Sequence, residues 1–146
     1  MEEFKAPFGR DTIKKILPHR EPFLWLDEIT SLGDTAITGF KDMKADEAVF
    51  KGHFPSHPVF PGVLMVEALA QLGGVLVLAR GGHAGKIAFL TGVNEARFRR
   101  QVVPGERLDL GVEIVKQKSR VCVIKGVASV KGELACEAEI MFAFAE

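Results

Sequence analysis

Residues 61–79 form the longest apolar stretch of the chain, interrupted only by Glu67 and Gln71. A run that is apolar on nearly every side is a helix meant for the middle of a folded protein. Its uncharged part, residues 68–79, is shorter than the ~20 residues a membrane span needs. Pro61 suits the first helical position, where its missing N–H costs nothing, and Gly81-Gly82 supplies the stop. Beyond the helix the hydrophobic period changes to two. Residues 86–94, 107–116, 120–130 and 134–144 are Val/Ile/Phe-rich runs separated by Gly, Pro and charged turns, which predicts four strands. Upstream, residues 23–30 and 35–42 predict a hairpin turning at Gly33-Asp34. Asp11 is expected to cap a short helix through Ile16, which Leu17-Pro18 ends. Residues 45–60 read as a loop stiffened by Pro55 and Pro58. The short connections between strands require antiparallel pairing. The expectation is therefore an α+β fold, with an antiparallel six-stranded sheet wrapped around one long central helix.

At 146 residues, with no repeat and no linker, the chain is expected to be a single domain, 1–146. Lys plus Arg and Asp plus Glu are 19 each, so no overall field gathers nucleic acid or an anionic membrane. Cys122 and Cys136 lie in apolar alternating segments and are expected to be buried, reduced thiols. The start Met1-Glu2-Glu3 has no apolar run behind a basic segment, so a cytoplasmic location is expected. The histidines lack ligand spacing with a partner cysteine or carboxylate, and no glycine-rich phosphate loop joins a strand to a helix. Neither a metal nor a nucleotide cofactor is expected.

Glu67 stands out because a carboxylate among apolar neighbours must be paired or must hold its proton. His53 sits in the proline-braced loop that feeds the helix carrying Glu67, and imidazole accepts a proton near neutral pH. The backbone amide of Gly62 lies at the positive end of that helix, suited to a carbonyl oxygen that gains negative charge. Base, acid and electrophile describe one reaction class: deprotonation alpha to a thioester carbonyl with loss of a beta hydroxyl as water. Each residue also has a plainer reading. Glu67 could be satisfied by a cap or by Gln71 one turn on, His53 could bond backbone in a turn, and Gly62 could allow tight packing on a strand.

The run Gly52-His53-Phe54-Pro55-Ser56-His57-Pro58-Val59-Phe60-Pro61-Gly62-Val63-Leu64-Met65-Val66-Glu67-Ala68-Leu69-Ala70-Gln71 resembles the signature of the (3R)-hydroxyacyl-[acyl-carrier-protein] dehydratases of bacterial fatty-acid synthesis. Leu17-Pro18-His19-Arg20-Glu21-Pro22-Phe23-Leu24 and Arg97-Phe98-Arg99-Arg100-Gln101-Val102-Val103-Pro104-Gly105 resemble the same family in the same order. The resemblance implies a hot-dog fold, with His53 as base, Glu67 as acid, Gly62 as backbone donor to the thioester, and Gln71 positioning the acid. It implies a homodimer, often assembled as a trimer of dimers, in which His and Glu of each site come from different subunits. It also implies phenylalanines near the acyl chain. Phe54 flanks His53, Phe60 replaces a common methionine, and Phe89 falls where relatives carry a gating aromatic. Arg97, Arg99 and Arg100 are a local basic cluster suited to phosphopantetheine or an acidic carrier protein, although strand ends are as often charged for solubility. His19, His57 and His83 read as structural or exposed. Glu21, Asp46-Glu47 and Gln101 depart from the common pattern without touching the acid/base pair. Two other readings remain: a hot-dog thioesterase, which the loop histidine argues against, and a non-catalytic acyl-thioester sensor. Glu67, where a dehydratase-isomerase branch usually has aspartate, favours dehydration alone.

Overall fold

The structure is a computed structural model that describes residues 3–80 and 83–145. In chain order it contains β1 (Phe8–Gly9), α1 (Arg10–Ile16), β2 (Glu28–Leu32), β3 (Ala36–Asp42), α2 (Ala48–Gly52), α3 (Gly62–Leu78), β4 (Ala88–Phe98), β5 (Arg107–Lys118), β6 (Val121–Val130) and β7 (Glu133–Phe144). The strands make one sheet in the order β1-β2-β3-β5-β6-β7-β4, with each neighbouring pair antiparallel. Each of the six expected strands has a counterpart, the first of them only from Glu28 onward, and the two-residue β1 adds a seventh at one edge. The helix α3 packs against β3, β5, β6 and β7.

Alternation explains how the sheet holds the helix. In β6, Cys122, Ile124, Gly126, Ala128 and Val130 face inward, while the residues between them are exposed or half-buried. Two glycines set the distance of approach. A Cβ on Gly126 would meet the Leu69 side chain at 3.1 Å, and one on Gly73 of the helix would fall 2.5 Å from Ile124 Cδ1. Cys122 and Cys136 are free and fully buried, and desolvation pushes both thiols up to about 11.

Several boundaries differ from the sequence reading. Pro61 is the N-cap and Gly62 the first helical residue of α3, whose C-cap is Ala79. The expected Gly81-Gly82 stop lies outside the described residues. In α1 the N-cap is Gly9, and Asp11 sits in the first turn without a capping bond. The expected loop of residues 45–60 contains the short α2, and β4 runs on to Phe98.

The larger correction concerns residues 23–27, which are not a strand. Leu24, Trp25 and Leu26 are all buried in succession, which two-fold alternation forbids in a half-buried strand. Side chains hold the backbone instead. Arg10 donates to the carbonyls of Leu24 (3.0 Å) and Leu26 (3.1 Å) and pairs with Glu21 (2.7 Å) and Asp27 (3.0 Å). At the far end of this strap, Lys41 points inward from β3 with a side chain only 1% exposed. Its ammonium reaches Glu47 (2.7 Å), the Asp42 carbonyl (2.7 Å) and Asp27 (3.7 Å), so β3, α2 and the strap meet at one cation.

Candidate active site

His53 is the C-cap of α2, where the chain leaves the helix for the Pro55–Pro58 turns. Two bonds lock it to the segment entering α3. Val59 N–H donates to the His53 carbonyl (2.8 Å), and His53 Nδ1 lies 2.9 Å from the Val59 carbonyl oxygen. A carbonyl only accepts, so Nδ1 carries the proton, and in the neutral ring Nε2 keeps the lone pair. The Phe54 ring stacks on the imidazole at 4.1 Å and is half exposed. His53 lines a groove of ≈ 490 Å³ with Gly62, Val63, Phe98 and Arg99. The Gly62 amide, at the first turn of α3, has no protein acceptor among the described residues. Gly62 also packs tightly, since a Cβ there would lie 2.7 Å from the Phe98 ring. Both readings of Gly62, donor and close packing, fit the same atom positions.

Glu67 is on the next turn of α3 and faces elsewhere. It lines a second cavity of ≈ 30 Å³ with Leu17, His19, Gln71, Ala88 and Leu90, and His53 is not among its walls. The Glu67 side chain is 20% exposed. Gln71, 2% exposed, fixes it. Gln71 Oε1 accepts from Trp25 N–H (2.9 Å), and its Nε2 donates to the Phe23 carbonyl (2.9 Å) and to Glu67 Oε2 (2.9 Å). With acceptor and both donors used, the amide has one orientation, and Glu67 Oε1 is the oxygen with no hydrogen bond among the described residues. His19 Nε2 lies 3.7 Å from Glu67 Oε2. Sequence reasoning placed His19 among structural or exposed residues. The only signal for its position was the Leu17-Pro18-His19-Arg20 run itself.

The remaining candidates fall in several places. Phe60 is buried against Trp25 (5.3 Å) and Phe50 (6.4 Å) and contributes to the His53 groove. Phe89 is 58% exposed on β4, between Ala88 and Leu90, which line the Glu67 cavity while Phe89 does not. The arginine cluster is largely offset by carboxylates. Arg100 pairs with Glu106 (2.9 Å) and Glu133 (3.2 Å), and Arg99 pairs with Glu137 (3.4 Å). Arg97 donates to the Ala96 carbonyl and shares a groove with Glu95, Glu137 and Glu139. A different groove, of ≈ 600 Å³, is lined by Arg80, His83, Lys86 and Arg120 over Val77, Leu78 and Phe144, with no carboxylate among its described walls. The sequence reading passed over it because its cations come from three separate segments. Among the described residues there is no group of three or more His, Cys, Asp or Glu placed to hold a metal. No described helix is long and apolar enough to cross a membrane.

A single long helix clasped by an antiparallel sheet, with an acid on the helix and a histidine at its threshold, defines a hot-dog protein of the α+β class. Residues 17–139 match the family described as FabA-like domain. The chain is 52% identical over 132 residues to the 3-hydroxyacyl-[acyl-carrier-protein] dehydratase FabZ of Clostridium botulinum (strain Kyoto / Type A2), covering 89% of this chain and 91% of that one. It is 48% identical over 134 residues to the protein of the same name from Oceanobacillus iheyensis, covering 91% and 96%. The chain belongs to the FabA-like hot-dog family, among the FabZ 3-hydroxyacyl-[acyl-carrier-protein] dehydratases. In fold alone it is similar to a chain of the dehydratase heterocomplex ApeI:P from Xenorhabdus doucetiae, with TM-score 0.79, 18% identity, and coverage of 92% of this chain and 91% of that one. It is likewise similar to a hypothetical thioesterase protein with coenzyme A from Streptococcus pneumoniae TIGR4, with TM-score 0.64, 14% identity, and coverage of 81% and 84%.

Proposed function

We propose that this chain converts (3R)-hydroxyacyl-[acyl-carrier-protein] to trans-2-enoyl-[acyl-carrier-protein] in type II fatty-acid synthesis, in the cytoplasm and without a cofactor. The observation that carries the mechanism is the His53 Nδ1 bond to the Val59 carbonyl, which leaves the lone pair on Nε2 of a ring that lines the same groove as Gly62. Nε2 takes the alpha proton. The Gly62 amide stabilises the oxygen of the enolate-like intermediate. Glu67 Oε1 gives its proton to the beta hydroxyl, which leaves as water. The substrate loses one hydrogen and one hydroxyl, and a proton passed from His53 back to Glu67 restores the starting state.

Within one chain, His53 and Glu67 line separate cavities, so a single chain offers two half-sites. We assign each complete site to His53 of one copy and Glu67 of another, in a homodimer that can go on to a trimer of dimers. The edge strand β4 supports this reading, since Phe89, Leu90, Val93 and Phe98 are all exposed along it. For the carrier protein, the groove of Arg80, His83 and Lys86, which has no carboxylate among its described walls, suits an acidic surface better than Arg99 and Arg100, which are paired with Glu137, Glu106 and Glu133.

Subunit mixing tests the core of the proposal. Homodimers of His53→Ala and of Glu67→Gln should each lose ~10²–10⁴-fold in turnover of a 3-hydroxyacyl carrier protein. Unfolded together and refolded at equal amounts, the two should recover about a quarter of wild-type activity, because half the dimers are mixed and each has one intact site. No recovery, with assembly intact, would refute the shared site. Normal turnover by either variant alone would refute the chemistry.

A further inference from the structure

His19 has one polar atom without a partner among the described residues. Its Nδ1 is buried and takes no hydrogen bond from them, while its Nε2 faces Glu67 Oε2 across 3.7 Å. The neutral ring must place its single proton on one of these nitrogens. A proton on Nδ1 would bury an unpaired donor and turn the Nε2 lone pair against the carboxyl oxygen. A proton on Nε2 leaves a bare lone pair at Nδ1 and aims an N–H dipole at Glu67, which is the cheaper arrangement. Gln71 Nε2 already donates to the same Oε2. Two donor groups therefore face one oxygen of the acid, Gln71 at hydrogen-bond distance and His19 at 3.7 Å.

Resting on the dehydratase reading above, we infer that His19 is a positioning residue, one that with Gln71 reserves Glu67 Oε2 as the acceptor oxygen and keeps the transferable proton on Oε1. An acid whose proton can sit on either oxygen presents it to the leaving hydroxyl only part of the time. With Oε2 reserved, every protonated Glu67 is loaded in the productive form. The distance is longer than a direct hydrogen bond, so the dipole acts through space or through a bridging water.

The protonation state of His19 agrees with this geometry. Desolvation lowers its pKa below the usual histidine value, Glu67 opposes that shift, and Arg20 reinforces it. Within one chain, Glu67 from α3 and Arg20 from the same loop are the charged groups acting on it, and the other described walls, Leu17 and residues of α3, β4 and β7, are uncharged, while His53 of the other copy, assigned to this site above, is the further titratable group there. Burial thus biases His19 toward its neutral form. A cation in its place would favour the ionised carboxylate and disarm the acid.

The test compares His19→Leu and His19→Gln with wild type in steady-state dehydration across pH, with melting and gel filtration on each. Wild-type turnover by itself tests the dehydratase reading, so failure there is separate from failure of the His19 inference. Leu removes the donor, and Gln restores an N–H at a similar reach without titrating. For His19→Leu the expected kcat loss is ~10–100-fold, the range seen when a group that orients a functional ligand is removed, with KM within about twofold. The alkaline limb of kcat should move to higher pH, because a carboxyl that loses a donor holds its proton longer. His19→Gln should recover at least about tenfold of that loss and return the limb to its wild-type position. If Leu prevents folding, His19→Asn replaces it, its amide being too short to reach Glu67. A donor-less variant with kcat within about threefold of wild type would overturn the inference. So would a His19→Gln variant as impaired as the donor-less one.

Discussion

Replacing Gln71 with Met preserves length and approximate volume and removes all three side-chain bonds at once. The Trp25 N–H and the Phe23 carbonyl then lose their partner in a place that water reaches poorly, and Glu67 Oε2 loses its fixed donor. An unsatisfied buried polar group costs about 1–3 kcal/mol. The carbonyl sits in a partly buried bond, so the pair sums to about 2–4 kcal/mol rather than the full range. For a chain of this size about 1 kcal/mol moves the melting temperature by roughly 3–4 °C, which gives a drop of roughly 6–15 °C. Differential scanning calorimetry at matched protein concentration measures it, since an assembling protein melts at a concentration-dependent temperature. In parallel, kcat should fall about tenfold or more at unchanged KM, because the strap and the acid are tied by the same amide. A variant that melts within about 2 °C of wild type would show that the three bonds contribute nothing net, and the account of the strap would be wrong.

Four further outcomes follow from other parts of the molecule. Lys41→Ala leaves Asp27 and Glu47 without their inward cation and should cost about 2–4 kcal/mol in urea unfolding, with Lys41→Met costing less. Gly39→Ala places a Cβ 2.5 Å from the Glu28 backbone oxygen, which cannot swing aside, and should destabilise by about 2 kcal/mol on the same measure. Glu21 is lowered to about 2 chiefly by its bond from Lys14, then by its own backbone and Arg10. Its folded-state pKa lies below the unfolded one, so its contribution is present above the ordinary carboxylate range and is lost on acidification toward pH 2, and Glu21→Gln should flatten the melting profile across that window. Charge reversal at Arg80 and Lys86 should raise KM for carrier-bound substrate about tenfold while leaving a small thioester substrate unaffected, and equal effects on both substrates would remove the docking assignment.

What the sequence made legible was whatever repeats locally. The α3 helix is apolar through whole turns, β6 alternates along its whole length and β5 and β7 along most of theirs, so their existence and antiparallel pairing followed from period and connection length. His53, Gly62, Glu67 and Gln71 could be singled out together because they sit within one short stretch around a helix start. The strap was misread because its backbone is satisfied by side chains 14 to 48 residues away, from Arg10 and Gln71, and no window of sequence contains both partners. Leu24-Trp25-Leu26 looks like a strand until that support is seen. His19 was passed over for the same reason, its significance lying in a carboxylate 48 positions later in the chain. The arginine cluster is the converse case: its three cations lie close in sequence, and the fold brings Glu106 and Glu133 to Arg100 and Glu137 to Arg99, pairings that the spacing along the chain does not display.

The two deeply buried thiols give this protein a practical property. With Cys122 and Cys136 raised to about 11, only about one in 1,000 is a thiolate at pH 8, and neither is accessible. Native protein is therefore silent toward maleimide dyes. A single exposed cysteine, such as Val115→Cys at the outward bulge of β5, would take a fluorophore on a clean background. Two pools carrying donor and acceptor dyes would then report, in real time and without any substrate, whether chains assemble and how fast they trade places.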